Sequence, residues 1–204
     1  MNNDINIKML TGDKNYILKL LSKLENFSQE TYVHSIDVAN KCVVMGKKLN
    51  FLIQDLQSLY TAGLLHDIGK MDLDKMLLEK QHCTKEELDQ IKFGHIQGTK
   101  RYLLGKVDKT VFCIAYHHHE KINGTGYPQG IKGEQISNLD KILQVCDVTS
   151  ALSMQRSYRS KLSNSEIDKI LDNWVVAGEL DKFYVDLAQD LFVKTLDKTL
   201  HIIN

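Results

Sequence analysis

Eight residues of this chain are candidate metal ligands by type and placement: Glu30, His34, His66, Asp67, His95, His118, His119 and Asp147. One ion accepts at most about six ligands of this class. Eight residues, with positions left for water or substrate, therefore imply two or three divalent ions. The set is imidazole and carboxylate without thiolate. That favours Fe or Mn, with Zn or Ni as alternatives, over a structural thiolate zinc site. Asp67 and Asp147 are natural bridging carboxylates. Metal ions held together in this way lower the pKa of a shared water, grip a scissile phosphate and neutralise charge in an in-line displacement. His66 and Asp67 are the centre of the candidate catalytic set. Lys70 joins them, because one turn after His66 its ammonium stands where it reaches a non-bridging phosphate oxygen.

Helical periodicity is what carries these groups inward. The chain is rich in Leu, Ile, Lys, Glu and Gln at helical spacing, and Pro128 is its single proline. The pattern predicts helices near 13–25, from Ser28 to about Lys48, over about 53–70, from Thr84 to about Leu104, over about 108–119, from about Ser137 to Leu152, and one or two more within 164–200. Thr84 and Glu87 have the spacing of a capping box. On the second helix Val38, Cys42 and Met45 form a stripe whose extension is His34, with Glu30 one turn earlier. On the third, Leu56, Leu59 and Gly63 continue into His66, Asp67 and Lys70. On the fourth, Leu88 and Ile91 lead to His95, and on the sixth Leu139, Ile142, Leu143 and Cys146 lead to Asp147. One histidine on an apolar face is ordinarily a hydrogen-bonded core residue. Several stripes turning polar together is another matter, because unpaired buried charge is costly and cations would balance it. The tandem His117, His118 and His119 ends the fifth helix and supplies two more candidates. Residues 120–136, EKINGTGYPQGIKGEQI, hold four glycines and the proline and read as a long ordered loop or small hairpin. The fold class expected is all-α, a compact single-domain bundle of about seven or more helices. Residues 1–27 form an N-terminal helical extension, and 28–204 form the main domain with its C-terminal helices packed on it.

Lys plus Arg and Asp plus Glu each number 26, so net charge is zero. Nothing offers a polybasic footprint for duplex nucleic acid or an anionic membrane, and no apolar run has the length to cross a bilayer. Cys42, Cys83, Cys113 and Cys146 form no CxxC pair and no leader-like segment is read at the start, so reduced thiols and a cytoplasmic location are expected. Only three arginines occur, Arg101, Arg156 and Arg159. The local pair Arg156 and Arg159 suggests fork-shaped recognition of phosphate or carboxylate.

HDIGK at 66–70, HHEKINGTGYP at 118–128 and DVTSALSMQRSYR at 147–159 closely resemble the HD-GYP branch of the HD-domain phosphohydrolases. The resemblance covers about residues 28–160, and the order and spacing of these blocks are far more specific than a lone HD pair. It implies an HD-type helical core around a bi- or trinuclear iron or manganese site that hydrolyses cyclic di-GMP through linear pGpG, often to GMP. Some members prefer cyclic GMP-AMP. His66 and Asp67 would be the HD ligands, completed by His34, His95, His118, His119 and Asp147. Glu30 falls where members with a third metal place an extra carboxylate. Lys70, Arg156 and Arg159 would contact phosphate. Gly124 and Gly126 would let the loop turn tightly, and Tyr127 with Pro128 would buttress or line the nucleotide pocket. The chain departs from the family pattern at Asn123 and Ser150, where Asp is usual, at Ser157, where Pro is usual, and in the stretch MDLDKMLLEKQHC, which lacks proline.

Two other functions compete with this one. A slow or inactive sensor would bind cyclic dinucleotide and signal to a partner, and an HD phosphohydrolase could act on another phosphoester such as a nucleotide. The apolar C-terminal residues Trp174, Phe183, Tyr184, Leu187 and Phe192 are expected to pack on the core, with a homodimer face as the alternative.

Overall fold

The structure, a computed structural model, describes residues 5–80, 82–155 and 162–194. Among these residues every regular element is helical. Helix α1 (Lys14–Phe27) is capped by Asp13, and α2 (Gln29–Lys48) starts at Ser28, whose side chain accepts from the Thr31 amide. Then come α3 (Ile53–Leu65), a short α4 (Lys75–Leu78), α5 (Lys85–Leu103), α6 (Lys109–Tyr116) and α7 (Asn138–Ser153). Helices α8 (Asn164–Val176) and α9 (Lys182–Ala188) follow, and α9 runs on into a π-helical turn over Gln189–Val193. The capping box of Thr84 and Glu87 opens α5 as its spacing predicts, and Ser137 with Asp140 makes the same motif on α7.

Helix α2 lies between α3 and α7. A Cβ on Gly63 of α3 would fall 2.7 Å from the Cα of Ala39 on α2, so these helices meet backbone to backbone. The apolar stripes supply one continuous core, including Leu20, Leu24, Val38, Met45, Leu59 and Ile142. Residues before 28 belong to it: Ile17, Leu21 and Leu24 are buried there, and the Tyr16 hydroxyl donates to the carbonyl of Tyr102 at 2.7 Å. At the C-terminal side Tyr184 is buried, and Trp174, Leu187 and Phe192 pack against the core. Phe183 departs from that expectation and stays 58% exposed.

Two expected helix bounds shift. The helix expected to reach 70 ends at Leu65, and a 3-10 turn over Ile68–Asp72 takes over. That change of course presses Gly69 onto α5: a Cβ on Gly98 would lie 2.6 Å from the Gly69 carbonyl oxygen. The helix expected to reach 119 ends at Tyr116, so the histidine triplet rounds a turn instead of spiralling outward. The stripe expected at the start of α5 is also corrected, since Leu88 is 43% exposed and edges a surface cleft. Only the second half of α5, from His95 onward, reaches the interior. The loop 120–136 holds one 3-10 turn, Gly133–Gln135, and no strand, so the hairpin alternative does not form. No described helix is long and apolar enough to cross a membrane.

Candidate metal centre

Five imidazoles and two carboxylates converge from separate elements. His34 comes from α2, His66 and Asp67 from the turn ending α3, His95 from α5, His118 and His119 from the turn after α6, and Asp147 from α7. The ring centres form a contiguous series: 5.4 Å from His34 to His66, 5.0 Å from His66 to His118, and 5.5 Å from His118 to His95. His95 and His119 are 5.0 Å apart. Asp147 Oδ1 lies 2.9 Å from His34 Nε2 and 3.6 Å from His66 Nε2, and Asp67 Oδ2 lies 3.3 Å from His66 Nε2.

The tautomers follow from the partners of the outer nitrogens. His66 Nδ1 is 2.8 Å from the carbonyl of Gly63, His95 Nδ1 is 2.7 Å from that of Ile91, and His118 Nδ1 is 2.7 Å from that of Ala115. A carbonyl only accepts, so each Nδ1 carries the proton and each Nε2 presents a lone pair. All three Nε2 atoms are buried without a hydrogen-bond partner. Burying uncompensated lone pairs beside carboxylates is costly unless a cation sits among them. The donors group into three overlapping sets whose ligand atoms lie within 4.8 Å of one another: His34, His66 and Asp67; His66, His118 and Asp147; and His95, His118 and His119. These residues fit a polynuclear metal centre.

The electrostatics agree. Burial lowers the pKa of His34 and His95, lowers His118 strongly and takes His119 down to about 3, which favours the neutral rings that metal binding requires. Burial also pushes His66 down, but Asp67 and Asp147 outweigh it and raise this ring to about 10. The spot facing both carboxylates thus calls for positive charge. Burial pushes Asp67 and Asp147 up, yet both are held well below the usual carboxylate range, Asp67 by Lys70 and His66, Asp147 by His34 and His66.

Not every expected site residue joins this cluster. Lys70 Nζ is ion-paired with Asp67 Oδ2 at 2.6 Å and only 21% exposed, so its charge lies at the centre's edge. Glu30 is exposed on the first turn of α2 and belongs to none of the three donor sets; it edges a separate cleft of about 870 Å³ that also reaches Lys70. One turn before His34, the helix has already left the interior. Arg156 and Arg159, with Ser157 between them, lie outside the described residues.

Orienting residues escaped the sequence reading. The Thr99 hydroxyl donates to the His66 carbonyl at 3.0 Å and accepts from the Gly69 amide at 3.3 Å, which ties the HD turn to α5. Ser150 Oγ lies 3.0 Å from His34 Nδ1 and is fully buried. This contact sets the His34 ring so that Nε2 faces Asp147. Ser150→Ala is expected to weaken metal affinity about tenfold, the low end for loss of a group that orients a ligand. A metal-buffered titration checks this, and an unchanged affinity would remove Ser150 from the centre.

The cluster opens into a cavity of about 330 Å³. Lys70, Glu120 and Tyr127 line it beside the ligands. Buried Glu120 accepts from the Gln129 amide at 2.6 Å, closing the loop. Tyr127 stacks on His119 with ring centres 4.8 Å apart, and its amide donates to the His119 carbonyl, which makes it a buttress of that ligand. Gly126 is required by contact: a Cβ there would sit 2.5 Å from both the Glu120 Cα and the His119 carbonyl oxygen. Asn123 Oδ1 accepts from the Thr125 amide while Nδ2 donates to the Ala177 carbonyl at 2.9 Å. An aspartate could not make the second bond, which accounts for Asn at this position.

A profile of the HD domain matches residues 8–174. The chain belongs to the HD-domain family. Among curated relatives, the 3'3'-cGAMP-specific phosphodiesterase 1 of Vibrio cholerae is 34% identical over 162 residues, covering 78% of this chain and 37% of that protein. A cyclic di-GMP phosphodiesterase of Pseudomonas aeruginosa is 34% identical over 163 residues, covering 78% of this chain and 39% of that protein. The HD-domain chain thus spans under two fifths of the length of these relatives. Among solved structures, the HD domain of the Listeria monocytogenes phosphodiesterase PgpH superposes with a TM-score of 0.63 at 17% identity, covering 89% of this chain and 99% of that one. An HDG"Y"P protein of Bdellovibrio bacteriovorus gives a TM-score of 0.61 at 18% identity, covering 86% of this chain and 60% of that one. These likenesses place the helical architecture in the HD fold.

Proposed function

We propose that this HD domain is a metal-dependent phosphodiesterase that opens a cyclic dinucleotide, foremost cyclic di-GMP, to pGpG and onward to GMP, with cyclic GMP-AMP as the alternative substrate. The observation that carries this reading is the set of buried Nε2 lone pairs of His66, His95 and His118 without hydrogen-bond partners, gathered with His34, His119, Asp67 and Asp147 beside a cavity that His118, Asp67 and Asp147 line. His34, His66, Asp67, His95, His118, His119 and Asp147 would hold two ions, Fe or Mn, and Glu30 from its outer cleft would serve a third. When bound, such ions activate water and neutralise phosphate charge. The protein supplies the rest. Seven side chains preset the ligand geometry, so little reorganisation is needed during reaction. The Lys70 ammonium, held by Asp67, adds positive charge where a non-bridging phosphate oxygen would sit. Gly126 and Tyr127 shape the pocket beside His119, and Arg156 and Arg159 would grip the outer phosphate. A cytoplasmic location fits the four free cysteines. A homodimer or a regulatory protein partner is compatible with this reading.

The test is anaerobic purification, metal analysis per chain, and incubation with cyclic di-GMP, cyclic GMP-AMP and cyclic di-AMP in Mn(II) or Fe(II). Two or three ions per chain with a linear or mononucleotide product is the expected result. Full metal loading with binding but no product from any of the three would make the domain a sensor.

A further inference from the structure

Two chemically different walls face the cavity, beside the polar side chains of Lys70, Glu120, Lys121, Gln144 and Glu179. One is the metal-ligand set. The other is apolar: Val148, Ala151 and Leu152 from α7, Trp174 from the last turn of α8, and Leu180. A phosphate has no use for an apolar wall, but a nucleobase does, since its faces are apolar π surfaces and its stacking on aromatics tolerates any base. Trp174 is the single tryptophan of the chain and half-buried, with surface left toward the cavity.

Trp174 is also held in place. Helix α8 ends in a Schellman arrangement: the Glu179 amide donates to the Trp174 carbonyl at 2.9 Å, the Gly178 amide to that of Val175 at 2.9 Å, and Gly178 takes the left-handed conformation at φ 68°. The turn is then clamped to the loop that follows the ligands His118 and His119. Lys121 Nζ pairs with Glu179 Oε2 at 2.8 Å, the Ile122 amide donates to the Glu179 carbonyl at 3.1 Å, and Asn123 reaches the Ala177 carbonyl. The tryptophan and the metal ligands are therefore fixed relative to one another by short polar contacts.

We infer that Trp174 is a preorganised nucleobase platform, a substrate-binding residue that the α8–α9 turn contributes to the site. The inference rests on the proposed function and adds the residue that would take one purine of the cyclic dinucleotide while its phosphate lies at the metal centre. Preorganisation matters because the ring loses little freedom on stacking.

The metal-loaded protein carries its own reporter, because a single tryptophan means that tryptophan emission comes from one place. Titration with a slowly hydrolysed phosphorothioate analogue of cyclic di-GMP should quench the emission at the midpoint found by calorimetry. Inorganic phosphate should not. Trp174→Ala should raise KM for cyclic di-GMP about tenfold with kcat changed less than about twofold, and Trp174→Phe should recover most of the loss. Calorimetric binding without quenching, or an unchanged KM in Trp174→Ala, overturns the platform and leaves the phosphodiesterase reading standing. If Trp174→Ala does not fold, the quenching and the Phe variant decide alone. A wild-type protein that neither binds nor cleaves any cyclic dinucleotide overturns the proposed function, and the platform with it.

Discussion

Replacing His66 and Asp67 together by alanine should lower turnover by on the order of a thousandfold or more while leaving the helices intact. His66 belongs to two of the three donor sets and Asp67 to one, so the double change strips a shared position from the centre. The backbone has little to lose. Helix α3 is complete at Leu65, and the following turn is held by bonds from the Lys70 amide to the Asp67 carbonyl and from Thr99 to the His66 carbonyl, none of which needs either side chain. Metal content, far-ultraviolet circular dichroism and turnover measured on one preparation check the expectation. Near-native turnover with reduced metal would show that the catalytic ion lies elsewhere.

The second large effect concerns stability. Gly69→Ala would drive a methyl group into the His95 carbonyl and the Thr99 amide, closer than real Cβ contacts come. Both obstacles are backbone of α5, which cannot swing aside as a flexible side chain can. Overpacking of this kind costs roughly 1–3 kcal/mol or more, which in a chain of this size lowers Tm by about 2–4 °C for each kcal/mol. Metal affinity should fall as well, since the displaced segments carry His66 and Asp67 on one side and His95 on the other. Gly105→Ala is the informative control. Its φ is 71°, but nothing lies within 4 Å of an added Cβ, so it should cost only about 1–2 kcal/mol of backbone strain and leave metal binding unchanged. Equal metal affinities in wild type and Gly69→Ala would mean that the HD turn and α5 do not position each other.

The seven residues of the cluster, five buried and two half-buried, were legible because local periodicity and buried polarity act together. A helix that packs by one face must put its stripe inward, so a histidine or aspartate on the extension of that stripe is carried inward too. His34 beyond Val38 and Asp147 after Cys146 follow this rule, and the caps at Ser28, Thr84 and Ser137 mark where their helices begin. The same rule explains the failures. It is local, and it extrapolates a stripe without knowing where the interior ends. Glu30 and Leu88 sit in phase with buried residues yet lie exposed, because their first helical turns run past the core. Helix α3 stops at Leu65 and the chain then packs Gly69 against the backbone of α5, a contact that no spacing within 53–70 encodes.

By itself the sequence determined the helical class, the histidines and aspartates turned inward and the loop that follows them, because these depend on side-chain type and on spacings of three to four residues. Only the tertiary structure decided which of these side chains lie together, which groups orient them and what forms the wall of the pocket. Those relations join residues far apart in the chain, such as His34 and Asp147 at a separation of 113 positions or Asn123 and Ala177 at 54. They come from the packing of α7 and α8 around the cavity, where burial must be satisfied across the whole core at once rather than along any one helix.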